Sequence, residues 1–215
     1  MKSLIILGAG GHGKVVAETA IATGFFKEIV FLDDRFSENK NNSYLFNNFK
    51  VIGKLSLIIE DDLSSNYSNA VVALGNNRLR LNWLKKLINT NYSLPTLIHP
   101  TAWVSPSAVI SSGTVVFAKV AIQADVRIGF GSILNTGCNI DHDVILEDGV
   151  HICPGASLAG GVYIGKRSFI GLGSSVIQNI SIGSDVNLGA GSTVVKNLPD
   201  KITAVGSPAQ ILSIK

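Results

Sequence analysis

Two cysteines, one methionine and two tryptophans are all that this 215-residue chain holds of those three types. Cys138 and Cys153 do not make a disulfide framework, and neither lies in a metal-binding spacing. The four histidines, His12, His99, His142 and His151, form no HxxxH pattern, so no metal is expected. Charge is also scarce, at 15% of residues with a net value of +3. No run of Lys or Arg is long enough to track a phosphate backbone, which argues against a nucleic-acid partner. Apolar runs such as Ser3–Leu7 and Ala70–Leu74 are far too short to span a bilayer, so no membrane partner is expected. The opening Met1-Lys2-Ser3 leads into neither the h-region nor the cleavage site of a secretory signal, and a cytoplasmic location is the expectation. With 46% hydrophobic residues, the chain is expected to be well buried, with room for one domain and a smaller partner.

What the chain has in abundance is a period. Steps of six from Val104 through Ile110, Val116 and Ile122 to Leu188 and Val194 meet an aliphatic residue at all sixteen positions. Four residues after most of these sits a small or β-branched residue, among them Thr114, Val126, Ser132, Cys138, Ser168 and Ser192. One residue after the aliphatic, glycine recurs at Gly129, Gly165, Gly171, Gly183 and Gly189. A helix repeats near 3.6 residues and a free strand at 2, so a strict six fits neither alone. It fits short strands joined by tight corners, with one aliphatic pointing inward per side. Three sides make a coil of about eighteen residues, and the coils stack so that the aliphatics form ladders. The small residue suits the crowded corner, and the glycines are expected to supply unusual backbone angles there.

The N-terminal part reads differently. Ser3–Leu7 predicts a strand, 8–13 a glycine turn, Lys14 to Ala22 a helix, and Glu28–Leu32 a second strand closed by Asp33-Asp34. Residues 37–49 read as a polar surface excursion and Val51–Gly53 as a connector. A helix is expected over 55–61, a strand over 70–74 and a helix over 78–89. This is β-α-β organisation with a parallel sheet. Gly8, Gly10 and Gly13 match G-x-G-x-x-G between strand and helix, with Asp33 near the place of a ribose-binding acid. A dinucleotide is one reading. A tight strand–helix turn that needs glycine anyway is another. A diphosphate at the helix N-terminus, as in a nucleotide-sugar, uses the same free N–H groups.

The densest polar cluster on the coils is Asp141-His142-Asp143. His142 lies two residues past the inward Ile140 and should reach the outside at a corner, where a carboxylate can orient and strengthen an imidazole base. The bland reading is an exposed corner histidine. His151 follows half a coil later, as a ligand or as packing, and need not touch His142 within one chain. Cys138 occupies an inward small position and reads as packing rather than a nucleophile.

The hexads resemble those of left-handed parallel β-helix acyltransferases. Together with Gly8-Ala9-Gly10-Gly11-His12-Gly13, Phe31-Leu32-Asp33-Asp34, Ala73-Leu74-Gly75-Asn76-Asn77, Ile140-Asp141-His142-Asp143 and Gly206-Ser207-Pro208-Ala209, they make the chain similar to the bacterial sugar O-acyltransferase family. That family includes sialic acid O-acetyltransferases and nucleotide-4-amino-sugar N-acetyltransferases of the bacillosamine and perosamine type. The resemblance implies an α/β N-terminal Rossmann-like unit followed by an all-β left-handed parallel β-helix. It implies a nucleotide-sugar-binding domain over 1–98, an acetyl-CoA-binding catalytic β-helix over 99–197 and a tail over 198–215. His142 matches the general base and Asp143 its neighbouring acid. His151, Gly160, Leu172 and Ala190 match acetyl-CoA contacts. Gly10, Gly11, His12, Asp33, Asp34 and Gly75 match the nucleotide-sugar site, although His12 could instead only pack in its turn. A homotrimer with active sites between protomers is implied, and the acceptor is left open between a nucleotide-linked amine and a sugar hydroxyl.

Overall fold

The computed structural model describes residues 2–36, 45–46, 49–60 and 63–212, and the chain divides into two compact units, Met1–Leu97 and Ile98–Lys215. The surface excursion expected over 37–49 lies for the most part outside the described residues.

Among the described residues the first unit is built on a five-stranded sheet. Its strands are β1 (Lys2–Leu7), β2 (Phe26–Leu32), β3 (Leu45–Phe46), β4 (Phe49–Gly53) and β5 (Asn69–Val72), in the order β3-β4-β2-β1-β5. β1, β2, β4 and β5 run parallel, while β3 returns antiparallel on β4. β1 and β5 are aliphatic on both faces and fully buried at Leu4–Leu7 and Ala70–Val72, as expected of central parallel strands. Helix α1 (Gly11–Ala22) follows β1, α2 (Leu57–Glu60) is a single turn, and α3 (Asn77–Ile88) follows β5. Asn76 caps α3, its side chain accepting the Leu79 N–H at 2.9 Å. Two expectations change. Val51–Gly53 is the end of a sheet strand rather than a connector, and the helix expected over 55–61 shortens to Leu57–Glu60 among the described residues.

The second unit is a parallel β-helix. Among the described residues, strands of two residues, and one of three, stack into three sheets of eight, six and five strands. The first face carries Val115–Val116, Ile133–Leu134, His151–Ile152, Phe169–Ile170 and Asn187–Leu188. The second carries Ala121–Ile122, Asn139–Ile140, Ser157–Leu158 and Ser175–Val176. The third carries Arg127–Ile128, Ile145–Leu146 and Tyr163–Ile164. Each residue pairs with the one eighteen positions on, as Ala121 does with Asn139. The hexad aliphatics from Val116 to Val194 all enter one buried cluster. Pairing continues beyond residue 197. Thr203–Val205, expected within the tail, runs parallel on Asn187–Leu188, and Gln210–Ile211 turns back antiparallel.

The corners correct one expectation. Gly129, Gly165, Gly171, Gly183 and Gly189 do not hold left-handed backbone. They are glycine because an added Cβ would strike the neighbouring coil, for example 2.6 Å from the Asp148 nitrogen at Gly129. Left-handed φ falls two residues later, at Gly131, Gly149 and Gly173, but also at Lys119, Asp125, Asp143, Arg167, Asn179 and Asp185. The small corner residues behave as expected. Thr114, Ser132, Ser168 and Ser174 are buried and each donates its hydroxyl to a backbone carbonyl fifteen residues on.

Candidate active site and nucleotide cradle

At the corner between the second and third faces, Asp141, His142 and Asp143 form one turn. The Asp141 carboxylate accepts the His142 N–H at 2.8 Å and so fixes the bend. Asp143 sits at φ 61°, a left-handed conformation that short Asp and Asn side chains tolerate better than longer ones. That conformation swings its carboxylate back to the ring, and His142 Nδ1–H donates to Asp143 Oδ2 at 2.7 Å. The aspartate therefore reaches the imidazole despite its short stem. Donation from Nδ1 leaves Nε2 with the free lone pair. The hydrogen bond to Asp143, with the charge of Asp141 behind it, raises the His142 pKa above its ordinary 6.5. Both side chains stand mostly in solvent within one chain.

Gly160 lies one coil further along the same corner, and Gly161 N–H donates to the His142 carbonyl at 2.9 Å. His151, Leu172 and Ala190 lie elsewhere. His151 is on the first face, 8% exposed, with its ring edge-on to Phe169 at 5.0 Å. The Asn135 amide donates to its Nε2 at 3.3 Å. Leu172 and Ala190 stack on the corner between the first and second faces, where Gly191 N–H donates to the Leu172 carbonyl. One chain thus separates these six residues into two groups, with the second face between them. On that face small side chains (Ala121, Asn139, Ser157 and Ser175) leave an open groove of about 480 Å³ that reaches Asp141. Cys138 and Cys153 are buried, and desolvation pushes both thiols up to about 12, which suits packing and not nucleophilic attack. Among the described residues, no group of three or more His, Cys, Asp or Glu could hold a metal ion. Among them too, no helix is long and apolar enough to cross a membrane.

In the first unit the loops after β1, β2 and β5 meet at the carboxyl ends of the strands, the crevice where open α/β sheets bind ligands. Its glycines divide by role. Gly8, at φ 107°, would put a Cβ 2.8 Å from the Ala73 carbonyl oxygen, and a Cβ on Gly13 would collide with the Gly8 carbonyl oxygen. Those two are glycine for packing. Cβ atoms on Gly10, Gly11 and Gly75 would meet nothing within 4 Å, so these three face open space. Asp33 Oδ2 accepts the Ala9 N–H at 2.8 Å, and Arg35 forks onto both Asp33 oxygens. Arg35 holds the Asp33 pKa down to about 2, with help from the Ala9 N–H. Asp34 accepts the Leu55 N–H at 3.0 Å. His12 is half-buried, and desolvation together with the Arg80 cation pulls its pKa to about 4, so it is neutral at pH 7. Arg80 is 1% exposed and anchors the loop carrying Gly75, donating to the Leu74 carbonyl at 3.0 Å and to Asn77 Oδ1 at 2.8 Å. Arg35, Arg80 and Asn135 escape the sequence patterns. Only the buried position of Arg80 on the inner stripe of α3 leaves a trace there, as a charge where the helix period asks for an apolar residue.

Fold and site together define a class: a coiled enzyme with a histidine–aspartate corner, joined to an α/β unit with an open glycine cradle. Residues 3–87 match the PglD N-terminal domain. The acetyltransferase domain of PglB from Neisseria gonorrhoeae FA1090, solved with acetyl coenzyme A, is 44% identical over 98% of this chain and 99% of that one, with a TM-score of 0.89. A mutant of perosamine N-acetyltransferase from Caulobacter crescentus, solved with CoA and GDP-perosamine, is 38% identical over 99% of this chain and 98% of that one, also with a TM-score of 0.89. The UDP-N-acetylbacillosamine N-acetyltransferase of Bacillus subtilis (strain 168) is 40% identical over 119 residues, which span 55% of this chain and 52% of that protein. The chain belongs to this family of sugar N-acetyltransferases, with a Rossmann-like unit and a left-handed β-helix built from hexapeptide repeats.

One prediction arises directly from the corner geometry. It tests His142 as a general base: such a base works only when neutral, so in that role the rate should fall as pH drops through the raised His142 pKa. Asp143→Asn removes the largest cause of that rise. The acid limb of the kcat/KM profile should therefore move to lower pH, with a smaller plateau because the ring is less well held. A pH–rate profile checks this, and an acid limb that stays in place would separate Asp143 from the base.

Proposed function

We propose that this protein transfers the acetyl group of acetyl-CoA to the 4-amino group of a nucleotide-linked amino sugar. The observation that carries the reading is the His142–Asp143 contact at 2.7 Å on an exposed corner, in a chain that also holds an open glycine cradle. Family membership supplies the reaction class, since relatives are solved with acetyl coenzyme A and with CoA plus GDP-perosamine.

In this reading Gly10, Gly11 and Gly75 let the nucleotide's diphosphate approach the backbone at the start of α1, where N–H groups and the helix dipole favour an anion. His12, neutral beside Arg80, offers a hydrogen bond without adding charge. Asp33 orders the glycine loop through the Ala9 N–H, and Asp34 holds the Leu55 backbone. His142 Nε2 takes a proton from the amine as its nitrogen attacks the thioester carbonyl. A C–N bond forms, the C–S bond breaks, and the proton passes on to the departing thiolate. The products are an N-acetylated sugar and free CoA, with no acyl-enzyme.

His151, Leu172 and Ala190 contact acetyl-CoA on one protomer, while His142 and Gly160 face it from a neighbour. Placement on different corners supports this division, because a single chain keeps the two groups apart. A closed trimer brings unlike corners together and completes each site three times.

The test is a thiol-release assay with acetyl-CoA against UDP-, dTDP- and GDP-linked amino sugars. CoA release with at least one of them, and none with a sialate, is the expected result. Release only with the sialate would replace N-transfer by O-transfer.

A further inference from the structure

Along the corner that holds His142, coil after coil places Ala124, His142, Gly160, Gln178 and Lys196 in equivalent positions. Only one of them is glycine, and the backbone does not ask for it. Gly160 is not among the residues with left-handed φ, so an alanine could adopt the same conformation. Nor are the atoms nearest its Cβ position the neighbouring coil's backbone, as they are at Gly129, Gly165 and Gly171. The three atoms nearest a Cβ on Gly160 would all belong to the His142 imidazole, Cε1 and Nε2 at 2.5 Å and Nδ1 at 3.1 Å. The ring therefore lies against the bare Cα of Gly160, while Asp143 holds its Nδ1 edge.

We propose that Gly160 is a positioning residue: its missing side chain is the shelf that sets the plane of the His142 ring and the direction of Nε2. This rests on reading His142 as the base, and it gives Gly160 a role exercised through that histidine, beside the acetyl-CoA that its backbone faces. Two constraints then fix the ring. Asp143 pins one edge, and the Gly160 shelf stops it rotating about that hydrogen bond. A methyl group on the shelf pushes the ring away and breaks the 2.7 Å contact. The imidazole is the mobile end of an exposed side chain, so the ring yields and the coil does not.

Gly160→Ala should melt within about 2 °C of the parent, as surface changes without strain do. Its kcat should fall about 10- to 100-fold, the scale of misplacing a catalytic group by about 1 Å. KM for acetyl-CoA should change less than about twofold, because alanine keeps the backbone with which Gly160 faces acetyl-CoA. An NMR titration of the His142 ring should show its pKa falling, because the Asp143 hydrogen bond is the largest cause of its rise. In a His142→Ala background, adding Gly160→Ala should cost no further rate, the coupling expected of residues that act as a unit. A raised acetyl-CoA KM with kcat and the ring titration unchanged would overturn the proposal. The titration needs no substrate, so it still reads the shelf if His142→Gln proves active and the base assignment fails. Should Gly160→Ala fail to fold, recovery of folding in the His142→Ala background supports the clash, and failure there as well overturns it.

Discussion

Replacing His142 by Gln should lower kcat about 10²- to 10⁴-fold, the range for losing a positioned general base. The melting curve should barely move. The His142 side chain is 60% exposed, and the turn around it is held by the Asp141 carboxylate on a backbone N–H, which glutamine leaves intact. KM for the nucleotide-sugar should stay close to the parent value, since the cradle belongs to the other unit. Turnover within a few-fold of the parent would remove His142 from the chemistry.

The second large effect concerns the ladder. Ile152 is fully buried in the middle coils, paired above and below with Leu134 and Ile170. Ile152→Ala should cost about 3 kcal/mol in denaturant unfolding, the usual cost of cutting a core aliphatic to a methyl. Ile152→Asp should abolish folding of the β-helix, since an unpaired carboxylate in that column has no hydrogen-bond partner. Ser175→Ala, on the outer side of the second face, should stay within about 0.5 kcal/mol of the parent. Equal losses for Ile152→Ala and Ser175→Ala would contradict the inward–outward assignment. Coils contact only their neighbours, so a break at Ile152 should release both halves of the stack rather than one end.

The ladder is legible because its aliphatics have a single job. Each hexad position points inward, and no other demand competes for the residue type. The corners are less legible because glycine occurs there for two reasons. Gly129 and Gly131 sit two apart, one for close approach to the Asp148 backbone and one for left-handed φ. The second position also accepts Asp, Asn, Lys and Arg, as at Asp143 and Lys119, so it leaves no glycine period to read. The strand ending at Val51–Gly53 is hidden because its pairing with β2 shifts register between Phe31 and Leu32, which short alternation cannot reveal.

At the site, His142 and Asp143 are readable because they are neighbours in sequence. Asn135 and His151 are sixteen residues apart, and only coil stacking brings them to 3.3 Å. The contact between Gly160 and His142 spans eighteen residues and depends on an atom that is missing, so no pattern of residue types announces it. The acid pair Asp33-Asp34 is legible as a cluster, but its partners are not. Arg35 and the Ala9 and Leu55 N–H groups occupy these carboxylates, which makes them organisers of the cradle as much as ligands of a sugar.

The most direct measurement follows the acetyl group itself. The protein is incubated with acetyl-CoA labelled in the acetyl carbons and with the amino sugar that releases CoA, and the products are examined by NMR and intact-protein mass spectrometry. The label should appear as an amide on the sugar's C4 nitrogen, with none on the protein. An ester on a sugar oxygen, or an acetylated cysteine that precedes product, would contradict direct N-transfer driven by His142.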